Sequence, residues 1–436
     1  MLEVHRTHQA KILNHGQVED SLDRHGWSAS KLWNVANYHS RQVWEETGEI
    51  PDHGDLKDEL KGHPKYKGLH SQSSQRVLEE LAEAFNSWYS SDDDRDNPPG
   101  YRKENYYDEQ DRRVHEEHPR STVTWKQNGI RHDTKNDRVR LSKGANHKEH
   151  PKAWEYILVE YETRPDVTVE NLQQVRAVYD QQKGRWELHL VCKDEIETPT
   201  APGSKSAGVD LGICNFAAVA YSTEDADLYP GNRLKQDGYY FPKEIAKCDD
   251  SGGKRATRLH KKWSERRTHF FHSLAKHIVG RCVEKGVGRI NIGKLTGVRE
   301  DDNGESKNWG RHGNLDLHGW AFDRFTSILT YKAKIEGIEV GEVSERDTTC
   351  CVCGREDDSQ RVERGLYICE ACDTAFNADV NGAENIRLNS NDESNSESPA
   401  SLDGDRSTGW LAQPGVYLHD LSNGFQPQEQ VVDCKP

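Results

Sequence analysis

The sequence has no long apolar run. Its longest such stretch, ICNFAAVAY at 213–221, is about half the length that a bilayer-spanning helix requires. The first twenty residues, MLEVHRTHQAKILNHGQVED, are equally free of an apolar segment, so we expect no secretory signal and a cytoplasmic setting. Hydrophobic residues make up only 33% of the 436, against 31% charged, which predicts a polar, soluble protein with room for two or three domains. Net positive charge is missing too: 74 Asp and Glu against 59 Lys and Arg give −15. That sum argues against a phosphate-binding protein, but the way the charge is distributed argues the other way.

The acids gather toward the end. Residues 389–436 hold eight of them against Arg406 and Lys435, a net of −6, among many Ser and Asn, so we expect an acidic disordered tail. The bases gather in KRATRLHKKWSERR, 254–267, where Lys254, Arg255, Arg258, Lys261, Lys262, Arg266 and Arg267 face only Glu265. So many cations on one stretch of helix exceed what ordinary surface ion pairs need, and they read as a phosphate-contacting face.

Ten cysteines in a reducing compartment point to metal binding before disulfides. Cys350-x-x-Cys353 and Cys369-x-x-Cys372, fifteen residues apart, have the spacing of a four-thiolate zinc site. Two residues between ligands let both sulfurs of one turn reach one ion, and Gly354 helps that turn close. Four thiolates fill the coordination sphere, so Zn2+ here would be structural. Cys351 makes the register ambiguous, but a one-residue gap to Cys353 is too tight for the usual turn. Cys192, Cys214, Cys248, Cys282 and Cys434 stand alone and read as small apolar residues.

Periodicity places amphipathic helices over 18–46 and 75–89, then short strands at 122–125, 138–142 and 156–161 and a hairpin around the Lys-Gly turn at 183–184. A β module with helical insertions is therefore expected over 1–200, followed by a linker at 197–206. Beyond it, two strands surround the Gly turn of SAGVDLGICNFAAVAYST, a helix covers 254–286, and GRINIGKL at 288–295 reads as a buried strand. A further helix at 315–337 and a strand at 338–345 precede the cysteine knuckle.

Two acids stand out. Asp210 lies inside the apolar strand AGVDLGICNFA, where a carboxylate is costly unless paired or bound to a cation, and Gly208 and Gly212 leave room for a ligand to approach. Asp379 begins the helix DVNGAENIRL, where an acid is ordinarily a cap. Taken with the strand order, the two suggest an RNase H-like sheet whose carboxylates converge on divalent metals.

GVDLGICNFA, the basic helix, the cysteine knuckle and NADVNGAENI, in that order, resemble the TnpB (OrfB) family of transposon-associated proteins. The family's Asp-Arg-Asp-Val-Asn-Ala-Ala run aligns with Asn377 through Ala383. The resemblance implies an α/β RNase H-like (RuvC-like) domain over 205–388 with a zinc ribbon inserted at 346–378, behind a β-barrel-like N-terminal lobe with inserted helices. It implies an RNA-guided DNA endonuclease with guide RNA and DNA as partners, no membrane role, and catalytic Mg2+ held by Asp210 and Asp379. One element departs from it. The family's second acid, a Glu at the end of the strand over 288–295, falls on Gly293, next to Lys294. Either an acid of VREDDNGE, with Glu300 as the candidate, substitutes for it, or the chain is a nuclease-impaired RNA-guided DNA-binding protein. A transposase that performs strand transfer itself is a further alternative.

Overall fold

The computed structural model describes residues 2–90, 97–107, 109, 113–150, 155–197, 199–212, 215–250, 253–294, 322–344, 348–363, 365–389 and 409–428. The chain folds as two compact units, Met1–Ile196 and Glu197–Pro436.

The first unit contains β1 (Leu2–Ile12), α1 (His15–Thr47), α2 (His53–Leu60), α3 (Ser71–Tyr89) and the ribbon β2 (Glu104–Tyr107) and β3 (Arg113–Glu117). The chain continues through β4 (Val123–Lys126), β5 (Ile130–Asp133), β6 (Arg138–Ser142), β7 (Tyr156–Glu162), β8 (Leu172–Asp180) and β9 (Arg185–Ile196). Seven strands form one antiparallel sheet in the order β4-β8-β9-β1-β7-β6-β5. Its two edge strands, β4 and β5, are consecutive in sequence and joined by one 3-10 turn at Gln127–Gly129, so the sheet must curl back toward itself. Trp125, Trp186, Leu188 and Leu190 from the strands meet Leu22 and Leu32 of α1 and Leu78, Leu81 and Phe85 of α3 in a closed core. Trp27, read as part of the apolar stripe, sits instead at its edge, 36% exposed and under the guanidinium of Arg120.

The second unit opens with β10 (Lys205–Asp210), β11 (Asn215–Tyr221) and β12 (Asp225–Pro230), then α4 (Asn232–Ile245), α5 (Lys254–Lys285), β13 (Val287–Gly293), α6 (Phe322–Ile335) and β14 (Glu339–Val343). The sheet order is β14-β13-β10-β11-β12, with β14, β13 and β10 parallel and β11 antiparallel to both neighbours. This is the mixed α/β sheet of an RNase H-like domain. Its core on one face is aromatic: Phe216 is fully buried, with the rings of Phe270, Phe271, Phe322 and Phe325 at 5.1–5.6 Å. Phe270 and Phe271 thus fix α5 to the sheet, and Phe322 and Phe325 do the same for α6.

A three-stranded ribbon follows, β15 (Arg361–Glu363), β16 (Leu366–Cys369) and β17 (Thr374–Asn377), then α7 (Ala378–Leu388). All eleven residues of α7 are buried, because it packs over β10, β11 and β13 on the face opposite the aromatic core while the ribbon adjoins it. Gly208 makes this approach feasible. A Cβ there would lie 2.0 Å from the carbonyl oxygen of Ala383 and 2.5 Å from the backbone nitrogen of Arg387. The space Gly208 leaves therefore belongs to a helix, which corrects its reading as room for a ligand.

The expectation of a disordered tail over 389–436 needs correction in part. Residues 409–428 form the short helix α8 (Gly409–Ala412) and the hairpin β18 (Gly415–Asp420) and β19 (Gly424–Pro427). β18 pairs in parallel with β12 and so widens the sheet. Apolar groups within the acidic stretch drive this: Tyr417 stacks on Tyr229 at 5.6 Å, and Phe425 is buried against Phe270 and Tyr229. Much of the remaining tail lies outside the described residues.

Candidate metal centre and carboxylate site

The thiol cluster is built from two turns. The backbone N–H of Gly354 closes the first by donating to the carbonyl of Cys350, and the second lies between β16 and β17. The Sγ atoms of Cys350, Cys353, Cys369 and Cys372 all lie within 4.8 Å of one another, with Cys350 to Cys372 at 3.9 Å and Cys353 to Cys369 at 3.6 Å. Tetrahedral zinc with Zn–S bonds of about 2.3 Å separates its sulfurs by about 3.8 Å, so the cluster fits a structural zinc ion. Burial pushes the Cys350 thiol up to about 11, and a bound cation is what favours the thiolate there. Cys351 is buried outside the cluster, and its backbone N–H donates to Asn381 Oδ1 at 3.0 Å. That settles the register left open by the sequence. Among the other cysteines, Cys192 and Cys282 are buried in the core, Cys248 is half-buried, and Cys214 and Cys434 lie outside the described residues.

The ribbon is tied to α7 by two amides. Asn381 Nδ2 and Asn385 Nδ2 both donate to the carbonyl of Thr349, at 2.9 and 2.7 Å. The knuckle and the first turns of α7 are therefore one hydrogen-bonded block. Behind it, Glu384 and Arg387 form a two-pronged ion pair with both contacts at 2.7 Å and both side chains at most 4% exposed.

Asp210 ends β10, and Asp379 lies in the first turn of α7. Asp379 does not cap its helix. Asn377 does, its side-chain oxygen accepting from the backbone N–H groups of Asp379 and Val380. The Asp379 carboxylate is held from elsewhere: Asn215 Nδ2 donates to its Oδ2 at 2.7 Å, and Arg361 Nη2 stands 3.7 Å from its Oδ1. One turn further along, a Cβ added at Gly382 would lie 2.8 Å from Asp210 Oδ2. Residues three apart share a helix face, so both acids meet the N-terminal turn of α7.

Among the described residues, no acid occupies the third position. In the parallel register Val209 pairs with Ile292, so Gly293 comes level with Asp210, and alternation puts it on the α7 face along with Asn291, whose amide reaches the carbonyl of Arg387. Glu300 lies outside the described residues. Among the described residues, the cluster of three or more Cys, His, Asp or Glu side chains arranged to hold a metal is the four-thiol one. With a glycine where the sheet needs a carboxylate, and a guanidinium and an amide on Asp379, these residues do not fit a pair of divalent ions.

Along α5, Lys254, Arg255, Arg258 and Lys262 are exposed and Lys261 is half-buried. The last two bases of the stretch have structural work. Arg266 Nε donates to Asp237 of α4 at 2.7 Å, and Arg267 is half-buried, its basicity lowered by burial and by Arg324. Trp263 stacks on Phe241 with rings 6.1 Å apart. Two residues of the carboxylate site, Asn215 and Arg361, escape a reading of the sequence. Asn215, polar within the run ICNFAAVAY, offers a signal, whereas Arg361 sits in an unremarkable stretch of charged residues.

Matches to known proteins follow the same geography. The family described as a probable transposase, OrfB_IS605, matches residues 189–299, and the Cas12f1-like TNB domain matches 322–386. A TnpB-like protein, ORF457 of Acidianus two-tailed virus, is 25% identical over 427 residues, covering 87% of this chain and 86% of its own. The CRISPR-associated endodeoxyribonuclease Cas12f1 of Sulfoacidibacillus thermotolerans is 25% identical over 229 residues, and the match spans about half of each chain, 48% and 52%. A solved Cas12f1–sgRNA–target DNA complex shares the fold at a TM-score of 0.56 and 14% identity, over 85% of this chain and 82% of that one. Fold and site together define an RNase H-like protein with an inserted zinc ribbon. The chain is similar to TnpB-like proteins over most of its length and to Cas12f1 over about half of it, in keeping with the resemblance its motifs carry. No helix among the described residues is long and apolar enough to cross a membrane.

Proposed function

We propose that this chain is an RNA-guided DNA-binding protein of a transposable element, with a RuvC-like site impaired for cleavage. The observation that carries the reading is Gly293, level with Asp210 where the third carboxylate belongs. Phosphodiester hydrolysis by two ions needs acids that bridge and flank both cations, and removing one weakens that clamp. Guide RNA and target DNA are the partners that the Cas12f1–sgRNA–target DNA complex of the same fold supports, and the exposed cations of α5 supply phosphate contacts without reading bases. Cleavage-competent and strand-transferring readings both require an acid from outside β13, for which Glu300 stands as the candidate.

The test is a guided cleavage assay. The purified ribonucleoprotein is incubated with matched DNA and Mg2+, and both nicking and complex formation are followed. A stable complex without product is the expected result, and Gly293→Glu should restore measurable nicking. Efficient cutting by the unaltered protein, lost in Asp210→Ala, would overturn the proposal.

A further inference from the structure

We infer that Arg361 and Asn215 have taken the place of a cation beside Asp379, so that this carboxylate is compensated without a divalent ion; this deepens the reading of an impaired site and rests on it. Asp379 is only 9% exposed, and a carboxylate so enclosed needs compensation from its surroundings. Its two oxygens are provided for by different elements. Asn215, at the start of β11, gives an amide hydrogen to Oδ2 at 2.7 Å, and Arg361, on the ribbon's edge strand β15, brings a guanidinium to 3.7 Å from Oδ1. A guanidinium does not deprotonate, so its charge is permanent and opposes a divalent ion at the same carboxylate.

The placement of Arg361 follows from the fold. β15 pairs with β16, which carries Cys369, and the amides of Asn381 and Asn385 fasten the knuckle to the helix that presents Asp379. The zinc-binding lobe thus holds a positive charge against the acid. Gly382 completes the arrangement, because its missing Cβ lets the Asp210 carboxylate lie against α7. Two separate features, Gly293 and the Arg361 contact, turn the site away from cation binding.

Manganese binding tests this directly, without reference to cleavage. The zinc-loaded full chain is titrated with Mn2+ and followed by electron paramagnetic resonance. Wild type is expected to bind weakly, and Arg361→Ala about tenfold more tightly, the scale on which one nearby like charge shifts an ionic equilibrium. Asn215→Asp, which sets a third carboxylate beside Asp379, should also tighten binding, and adding Asp379→Asn should remove either gain. Zinc content and circular dichroism establish that each variant is folded. The inference is overturned if both variants bind Mn2+ no better than wild type, or if wild type already binds two ions that Asp379→Asn abolishes. Guided cleavage by the wild-type protein would count against the functional reading, whereas the Mn2+ titration alone decides this one.

Discussion

Two candidate cation sites adjoin the same helix, α7, and they are constructed to opposite standards. The thiol cluster draws all four ligands from two turns of one small lobe, with sulfurs at 3.6 and 3.9 Å. The carboxylate site draws on β10 and α7, elements far apart in the chain, and among the described residues β13 brings Gly293 rather than an acid level with Asp210. A local site is specified by spacing within a short segment, so it survives as a unit. An assembled site depends on every contributing strand, so on the reading proposed above a single glycine at the end of β13 is enough to undo it. In the second site, the Asp379 carboxylate is engaged by the protein's own Asn215 and Arg361.

The largest effect should come from the complete site. Structural zinc contributes on the order of 10 kcal/mol to small lobes of this kind. Cys369→Ser is therefore expected to drop zinc content well below one per chain and to expose residues 348–377 to limited proteolysis. If the variant retains one zinc and its protease resistance, the cluster is not the lobe's organiser. Asn381→Ala ranks next. Its fully buried amide accepts from Cys351 and donates to Thr349, and leaving those groups unpaired should cost about 2–4 kcal/mol by thermal denaturation. A cost under about 0.5 kcal/mol would mean that the knuckle and α7 are not coupled.

How much of this is legible in the sequence follows the same division. The knuckle, the strand bearing Asp210 and the basic helix are readable because each is a short segment with its own periodicity or spacing. The central strand of the first sheet, β1, is not: among its residues of described burial only Ala10 and Ile12 are buried and apolar, so it shows no sustained apolar alternation and is held by pairing with β9 and β7. β18 is hidden by composition, since Tyr417 and its neighbours lie in a stretch otherwise rich in acids, Ser and Asn. The meeting of Asp210 and Asp379 at α7 is anticipated from the order of the strands and from the family resemblance, not from the periodicity of either segment alone. The contact of Arg361 with Asp379 cannot be anticipated at all, because it depends on how an irregular ribbon is seated on a helix.

The smallest expected effect offers the sharpest test of the contrast. In Gly382→Ala, a methyl group would arrive 2.8 Å from Asp210 Oδ2 and 3.4 Å from its Cγ, so the carboxylate must turn off the helix. It is the far end of a side chain that can rotate, so the clash is relieved at a cost of about 1 kcal/mol. Alanine recovers about 0.8–1 kcal/mol of helix propensity over glycine. The two terms nearly cancel, and the melting temperature should move by less than about 4 °C. Mn2+ binding should nonetheless change, because Asp210 is re-aimed while the thiol cluster is untouched. A large loss of stability would show that the Asp210 carboxylate is fastened against α7 by more than the absence of a methyl. An unchanged melting temperature with unchanged Mn2+ binding would show that its orientation has no bearing on whether the site takes a cation.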